Sequence, residues 1–390
     1  MRILYINGFV PRENVPMGGI FVTKRIQALQ KKGIQVFPYI YGVEYSKTVQ
    51  KYLSIIRHIP PQSKPVCYQL DIEYQLRMSK MGFVSMAAAS FLPCFYEHRI
   101  TKMLERDSKG GKRADIIHLH WVWPVGIGVQ KFCQKREIPY VITCHGSEIN
   151  ITMAEPRIQK AMVQVLENAA AVEFVSEALL KHAKELGYSG KNAAVIYNGI
   201  DGEIFGKILP TDTEKRAVIS FVGNLLPVKG ADRLPKIFHR IYEKYPGAEF
   251  RVIGDGSLRS ELEQKTQGLP VVFTGQISQE RLAEEYAKSA LLIVPSRNEG
   301  YSCAIKEAQS CGVIPVGCNV GGILEAMDGY GTAVIGTEKE IAEKLADIAV
   351  EYLEGKRQID RRKMAEHAVK NTWEHMQELS VELYHKILKD

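Results

Sequence analysis

The stretch EGYSCAIKE, residues 299–307, carries two carboxylates, Glu299 and Glu307, with seven residues between them. Glu299 stands in a glycine-containing loop after the apolar run LLIVPS, free to face a ligand. Glu307 falls one turn into the helix predicted from SCAIKEAQSC, a turn taking about 3.6 residues. The amino end of such a helix offers unpaired amides to an anion. A carboxylate one turn further in can accept hydrogen bonds from hydroxyls attached to that anion. Phosphate at the helix tip and a ribose diol at Glu307 is an arrangement suited to a nucleotide. The plainer alternative is a solvated surface glutamate. Against it, the neighbours Ala304, Ile305, Ala308 and Cys311 are apolar, so the helix is at least partly buried.

Other strand ends carry similar signals. In FVGNLLPVKG, Lys229-Gly230 opens a helix just past a loop, where an ammonium could neutralise phosphate. VIGDGSL, with Gly254, and FTGQIS repeat the scheme of strand, glycine loop and helix. In the first half, Gly18-Gly19 precedes the first long helix, and glycine there lets an anion approach the backbone amides. No G-x-G-x-x-G follows the first strand, which argues against a nicotinamide or flavin site.

These positions must be held by strands and helices. RILYI, QVFPYI, DIIHLH, YVITCH, AVEFVS and AAVIYN in the first half, and AVISFVG, FRVIG, VVFTG, LLIVPS and VIPVGC in the second, are short and apolar without strict alternation. That is the mark of strands buried on both faces. Amphipathic stretches such as GIFVTKRIQALQKKG separate them, and strand–helix alternation means parallel sheets covered by helices. The expected fold is α/β, two doubly wound Rossmann-like domains facing a central cleft, with ligands at the strands' carboxyl ends. The pattern breaks at 198–216. The expected divisions are a first domain over 1–203, a second over 204–370, and a C-terminal helix over 371–390 that packs back on the first domain. Residues 45–113 show no clear strand–helix repeat and read as an insertion in the first domain.

Of 390 residues, 45% are apolar and 24% charged, ordinary for a soluble globular chain. No apolar run approaches the roughly 18 residues that span a bilayer. Seven cysteines, with no C-x-x-C pair, read as reduced thiols of a cytoplasmic protein. Residues 1–198 hold 26 basic and 15 acidic side chains, a net +11, while 199–390 hold 25 and 29, a net −4. A basic half implies an anionic partner. The apolar patch at 81–99 and the basic run SKGGKR at 108–113 point to an anionic membrane surface; the alternative is a buried helix.

FVGNLLPVKG, VIGDGSL, VVFTGQIS, PSRNEGYSCAIKEAQSCGVIPVGCNVGGILE and YNGID together resemble the C-terminal half of glycosyltransferase family 4, retaining enzymes of the GT-B fold. The glutamate pair is similar to that family's E-x7-E motif, and HLHWVWPVG and TCHGSE in the first half match as well. GNLLPVKGADRL is similar to enzymes of teichuronic acid and other bacterial surface polysaccharides.

The resemblance implies a retaining hexosyltransferase that moves a sugar from a nucleotide diphosphate sugar, a UDP-sugar first, to a carbohydrate or lipid-linked acceptor. It makes 1–203 the acceptor-binding and 204–370 the nucleotide-sugar-binding domain, and it implies no nucleic acid, in a cytoplasmic protein resting peripherally on the inner face of the plasma membrane. No D-x-D appears in the first half, so no metal is expected. Lys229 would bind the diphosphate, Glu307 the ribose, and Glu299 the sugar hydroxyls beside the Gly300-Tyr301-Ser302 backbone. The Gln276-Ile277 loop would hold the base, Gly254 would border the donor, and Gly19 would bring its amide to the phosphate. His145 would lie by the reacting carbon. His118 and His120 are expected to face opposite ways, with His120 toward the cleft. Asn224 stands where an arginine is common, which removes one cation. Lys306 stands where an apolar residue is common and either adds back charge or faces solvent. A nucleotide-sugar epimerase of the same fold and a non-catalytic partner subunit are the alternative readings.

Overall fold

In a computed structural model, which describes residues 1–9, 11–13, 18–56, 63–81, 94–108, 114–207 and 217–389, the apolar runs form two parallel sheets, one in each of two units. The division falls between Tyr197 and Asn198, somewhat ahead of 203/204. One unit is Met1–Tyr197 with Met376–Asp390, the other Asn198–His375.

The sheet of the first unit is built from β1 (Arg2–Asn7), β2 (Gln35–Tyr45), β5 (Gln75–Met81), β6 (Ile116–His120), β7 (Tyr140–Cys144), β8 (Ala171–Phe174) and β9 (Ala193–Val195). Its order is β5-β2-β1-β6-β7-β8-β9, and β3 (Tyr68–Gln69) with β4 (Ile72–Glu73) forms a separate hairpin. Every residue of β6, β7 and β8 is buried, as strands covered by helices on both faces must be.

The second sheet holds β10 (Val218–Val222), β11 (Glu249–Ile253), β12 (Val271–Gly275), β13 (Leu291–Val294), β14 (Ile314–Cys318) and β15 (Thr332–Val334), in the order β12-β11-β10-β13-β14-β15. Both sheets are therefore wound outward in two directions from a switch point, between β1 and β6 in one and between β10 and β13 in the other. Loops leaving those strands at their carboxyl ends diverge and open a crevice in such sheets. Gly19 follows β1, Lys229 follows β10 and Glu299 follows β13, while His145, Gly254 and Gln276 follow the neighbouring strands β7, β11 and β12.

Residues 45–113 are not simply an insertion. They supply β5, the parallel edge strand beside β2, and the helix Cys94–Ser108. Ile72 and Tyr74 enter the core with Ile3, Tyr5 and Val22. QLRMSKM escapes a search for apolar runs because an edge strand is half open and carries polar side chains. Residues 82–93 and 109–113, which hold most of the apolar patch and the basic run, lie outside the described residues.

The C-terminal helix, Trp373–Ile387, starts in the second unit and ends in the first. Its Tyr384 is fully buried against the core of the first sheet.

Candidate active site

In the second unit, Lys229 leaves β10 in the single turn Pro227–Lys229, and Glu299 follows β13. The two carboxyl-end loops touch. Gly230 has φ 69°, and a Cβ there would stand 1.9 Å from the carbonyl oxygen of Pro295, so only glycine fits. Lys229 Nζ then reaches both oxygens of Glu299, at 2.9 and 2.7 Å. The pair is half open, its side chains 33% and 11% exposed. Gly321 clamps Glu299 from the other side. It has φ 51°, a Cβ on it would lie 1.8 Å from the carbonyl oxygen of Glu299, and Gly322 donates its N–H to the same oxygen at 3.2 Å.

Two arginines that sequence reasoning passed over hold this loop. Arg233 donates to the Pro295 carbonyl at 2.7 Å. Arg297 donates to the Pro227 carbonyl at 2.5 Å and pairs with both oxygens of Asp232 at 2.7 Å. Both arginines bond Glu338, whose carboxyl they hold down at about 2. Their signal was weak: Arg233 and Arg297 lie far apart in the chain, and nothing local ties either to Glu338.

Glu307 lies half-buried on the helix Cys303–Ser310. At that helix's amino end Ser302 makes no side-chain cap, so the first amides are not answered by it. Tyr301 and Ser302 are buried, Gly300 half-buried. Lys306 neither faces solvent nor joins Lys229. It is 2% exposed, and its ammonium lies 3.5 Å from Asp328 Oδ2; burial pulls its pKa down. The helical repeat of 3.6 turns adjacent residues about 100° apart, so Lys306 and Glu307 serve different faces.

The remaining residues of this unit divide. Asn224 and Gln276 are exposed and Ile277 is half-buried, just before the helix-capping Ser278. Gly254 has a structural reason of its own. With φ 127° it lies so close to Gly223 that a Cβ would stand 2.1 Å from that residue's carbonyl oxygen. A Cβ on Gly256 would likewise stand 2.6 Å from the Leu225 carbonyl. The VIGDGSL glycines thus let the loop after β11 lie against the loop after β10.

In the first unit, Gly19 caps the helix Ile20–Lys31 with φ 71°, and a Cβ there would touch the rings of Phe9 and Trp121 at 3.5 Å. Gly8 donates its N–H to the His120 carbonyl at 3.1 Å, joining the ends of β1 and β6. Trp121 sits at φ 64°, an uncommon conformation for a bulky residue. It lays its ring 4.7 Å from that of His145 and 5.4 Å from that of Phe21. Gly19, Trp121 and His145 thus gather at one end of this sheet.

His145 follows β7. Its backbone N–H and that of Gly146 donate to the two oxygens of Glu148, at 2.5 and 3.1 Å. Burial nonetheless pushes the Glu148 carboxyl up to about 7. The His145 ring packs on Phe21 at 4.4 Å, and its Nε2 lies 2.8 Å from His120 Nδ1.

His118 and His120 do not face opposite ways. Side chains repeat every two residues along a strand, and the two rings lie parallel, 4.8 Å apart at 6°. Desolvation holds His118 down at about 4 and His120 and His145 well below the usual histidine range, so all three are neutral near pH 7. The direction of the bonds around His118 follows from one fixed point. Glu173, paired with Arg25 at 2.6 Å, only accepts. Thr143 therefore donates to Glu173 at 2.9 Å. His118 Nε2–H then donates to Thr143 at 2.7 Å, and its bare Nδ1 accepts from the Tyr384 hydroxyl at 2.5 Å.

Among the described residues, no three His, Cys, Asp or Glu side chains are grouped to hold a metal ion, and no helix is long and apolar enough to cross a membrane.

The family model for Glycosyltransferase Family 4 matches residues 21–203 and that for Glycosyl transferases group 1 matches residues 216–354. The chain is 26% identical over 336 residues to TuaC of Bacillus subtilis, a glycosyltransferase assigned to teichuronic acid biosynthesis, covering 83% of this chain and 82% of that one. It is 26% identical over 294 residues to N-acetyl-alpha-D-glucosaminyl L-malate synthase of Bacillus anthracis, covering 71% and 76%. Anabaena HepE, solved with UDP, superposes with a TM-score of 0.68 at 17% identity over 99% of this chain and all of that one. Sucrose-phosphate synthase of Thermosynechococcus elongatus does so with a TM-score of 0.70 at 16% identity over the whole of both chains. The two family models between them take in most of both units, and the chain belongs to the family 4, group 1 glycosyltransferases, hexosyl-transferring enzymes of the GT-B fold.

Proposed function

We propose that this enzyme transfers a sugar from a UDP-sugar, with retention of configuration, to a carbohydrate or lipid-linked acceptor in the assembly of a bacterial surface polysaccharide. The observation that carries the donor half is the half-open Lys229–Glu299 pair at the switch point of the second sheet, one loop away from the helix Cys303–Ser310, which carries Glu307 one turn in and whose Ser302 makes no side-chain cap. The ammonium of Lys229 would take the diphosphate and stabilise it as it departs, a preorganised electrostatic role. Glu307 would accept from the ribose hydroxyls, and Glu299, released from Lys229, from the donor sugar. The Gln276-Ile277 loop would border the base. Gly254, Gly300, Tyr301 and Ser302 would frame the donor, with Asn224 at its edge. On the acceptor side, Gly19 would present its amide to the phosphate and His145 would stand by the reacting carbon.

The surface-polysaccharide role is supported by the likeness to TuaC. The UDP preference is supported by the likeness to HepE, solved with UDP. A place on the inner face of the plasma membrane is supported by the net +11 of residues 1–198.

The test is thermal stabilisation by a panel of UDP-, ADP- and GDP-sugars, run with and without EDTA, followed by transfer assays with each stabilising donor. A UDP-sugar should raise the melting temperature most, and EDTA should leave both signals unchanged. No stabilisation by any nucleotide sugar, or conversion of the donor without an acceptor, would overturn the reading.

A further inference from the structure

The strongest unassigned feature of the first unit is its buried row of imidazoles. His118 is fully committed: its Nε2 bonds Thr143 and its Nδ1 bonds Tyr384. The charge on Glu173 fixes the direction of both bonds. His120 and His145 differ. Their rings are joined by one hydrogen bond, Nδ1 of His120 to Nε2 of His145 at 2.8 Å, with the ring planes only 21° apart. The two outer nitrogens, Nε2 of His120 and Nδ1 of His145, are buried without a partner. His120 lies wholly inside the fold, beneath Tyr5 at 4.7 Å.

A neutral imidazole carries one N–H, so the shared bond leaves two arrangements. If His145 donates through Nε2, its Nδ1 is bare and accepts. If His120 donates through Nδ1, Nδ1 of His145 holds the proton and donates. The partner on one nitrogen decides what the other can do. Because Nε2 of His145 is taken, Nδ1 is the one ring nitrogen left to meet a ligand.

We infer that His120 is a positioning residue: by bonding Nε2 of His145 it fixes that ring's orientation and couples its tautomer to that of His120, and so governs the hydrogen bond that Nδ1 of His145 offers to a hydroxyl of the bound sugar. His145 therefore works as an oriented neutral hydrogen-bonding group. The inference rests on the placement of His145 beside the reacting carbon proposed above.

The test combines spectroscopy with kinetics on the full chain. Nitrogen-15 histidine spectra report which ring nitrogen of His145 is protonated, with His145→Gln used to assign its signals. His120→Leu removes the partner and should change the His145 pattern, mixing its tautomers. It should also lower kcat about tenfold, the worth of one buried hydrogen bond, with KM for the UDP-sugar changed less than about twofold. His120→Gln, which keeps a polar partner, should restore part of kcat, and it serves in place of the leucine variant if that one does not fold. An unchanged His145 pattern in the folded His120 variants overturns the pairing. A changed pattern with full kcat overturns its role in positioning. Full transfer by His145→Ala would instead remove His145 from the reaction, a failure of the proposed function that leaves the spectroscopic result standing.

Discussion

Each unit carries an ion pair among its candidate residues, and the two pairs meet water differently. Arg25 and Glu173 in the first unit are both 0% exposed, while Lys229 and Glu299 in the second are 33% and 11% exposed. A fully buried pair cannot change partners, because separating it strands a charge in a medium that solvates it poorly. It serves as a fixed point, and the directions of the Thr143, His118 and Tyr384 bonds are read from it. A half-open pair contributes little to stability, and its ammonium can pass to a stronger acceptor such as a diphosphate. The first unit thus holds a wall of neutral imidazoles tied to a buried ion pair, and the second a solvent-accessible pair on glycine-clamped loops.

The comparison breaks most directly at Glu173. Glu173→Gln leaves Arg25 buried and uncompensated and should cost roughly 3–5 kcal/mol, read as a drop in the urea midpoint. A loss near zero would mean that the pair is not the fixed point of that wall.

Glu148 probes the same wall through pH. Burial raises its carboxyl to about 7, so the folded chain holds that proton more firmly than the unfolded chain does. Its contribution to stability is fully present below the ordinary glutamate range and is lost as pH rises through about 7. Glu148→Gln should flatten the fall in unfolding free energy between about pH 4.5 and 7, where one group gives a slope of at most about 1.4 kcal/mol per unit. An unaltered profile counts against the raised value.

The second unit should respond in binding rather than folding. Lys229→Ala should weaken UDP binding by about tenfold to a hundredfold, the loss of one charge-assisted bond, and lower turnover with it, while stability moves by no more than about 1 kcal/mol. Glu299→Gln sharpens the contrast, because it frees Lys229. UDP should bind at least as tightly, while sugar transfer falls. Weaker UDP binding in calorimetry would show that the carboxylate is needed to aim the lysine.

The smallest expected change is at Glu307. Removing one acceptor for a hydroxyl in Glu307→Ala should cost roughly 1–2 kcal/mol of UDP affinity and leave the half-buried helix folded. Unchanged affinity would take Glu307 out of the nucleotide site.

The sequence by itself determined eleven of the thirteen strands of the two large sheets, all but β5 and β15, the alternation that makes both sheets parallel, and the seven-residue spacing that puts Glu299 in a loop and Glu307 on a helix. These are legible because burial on both faces selects short apolar runs, and helix and loop chemistry are local. Gly230 and Gly254 were legible as positions, but their reasons were not: Gly230 answers to a carbonyl oxygen of Pro295 and Gly254 to one of Gly223. Only the tertiary structure decided that Lys229 pairs with Glu299 across 70 residues, that Lys306 turns inward to Asp328, that β5 closes one sheet edge, and that His118 is held from the C-terminal helix 266 residues away. A single sequence records which side chains prefer to be buried, but not which buried groups meet. Hydrogen-bond partners distant in the chain are fixed by how strands and helices pack, so the pairings within this site appear only in the folded chain.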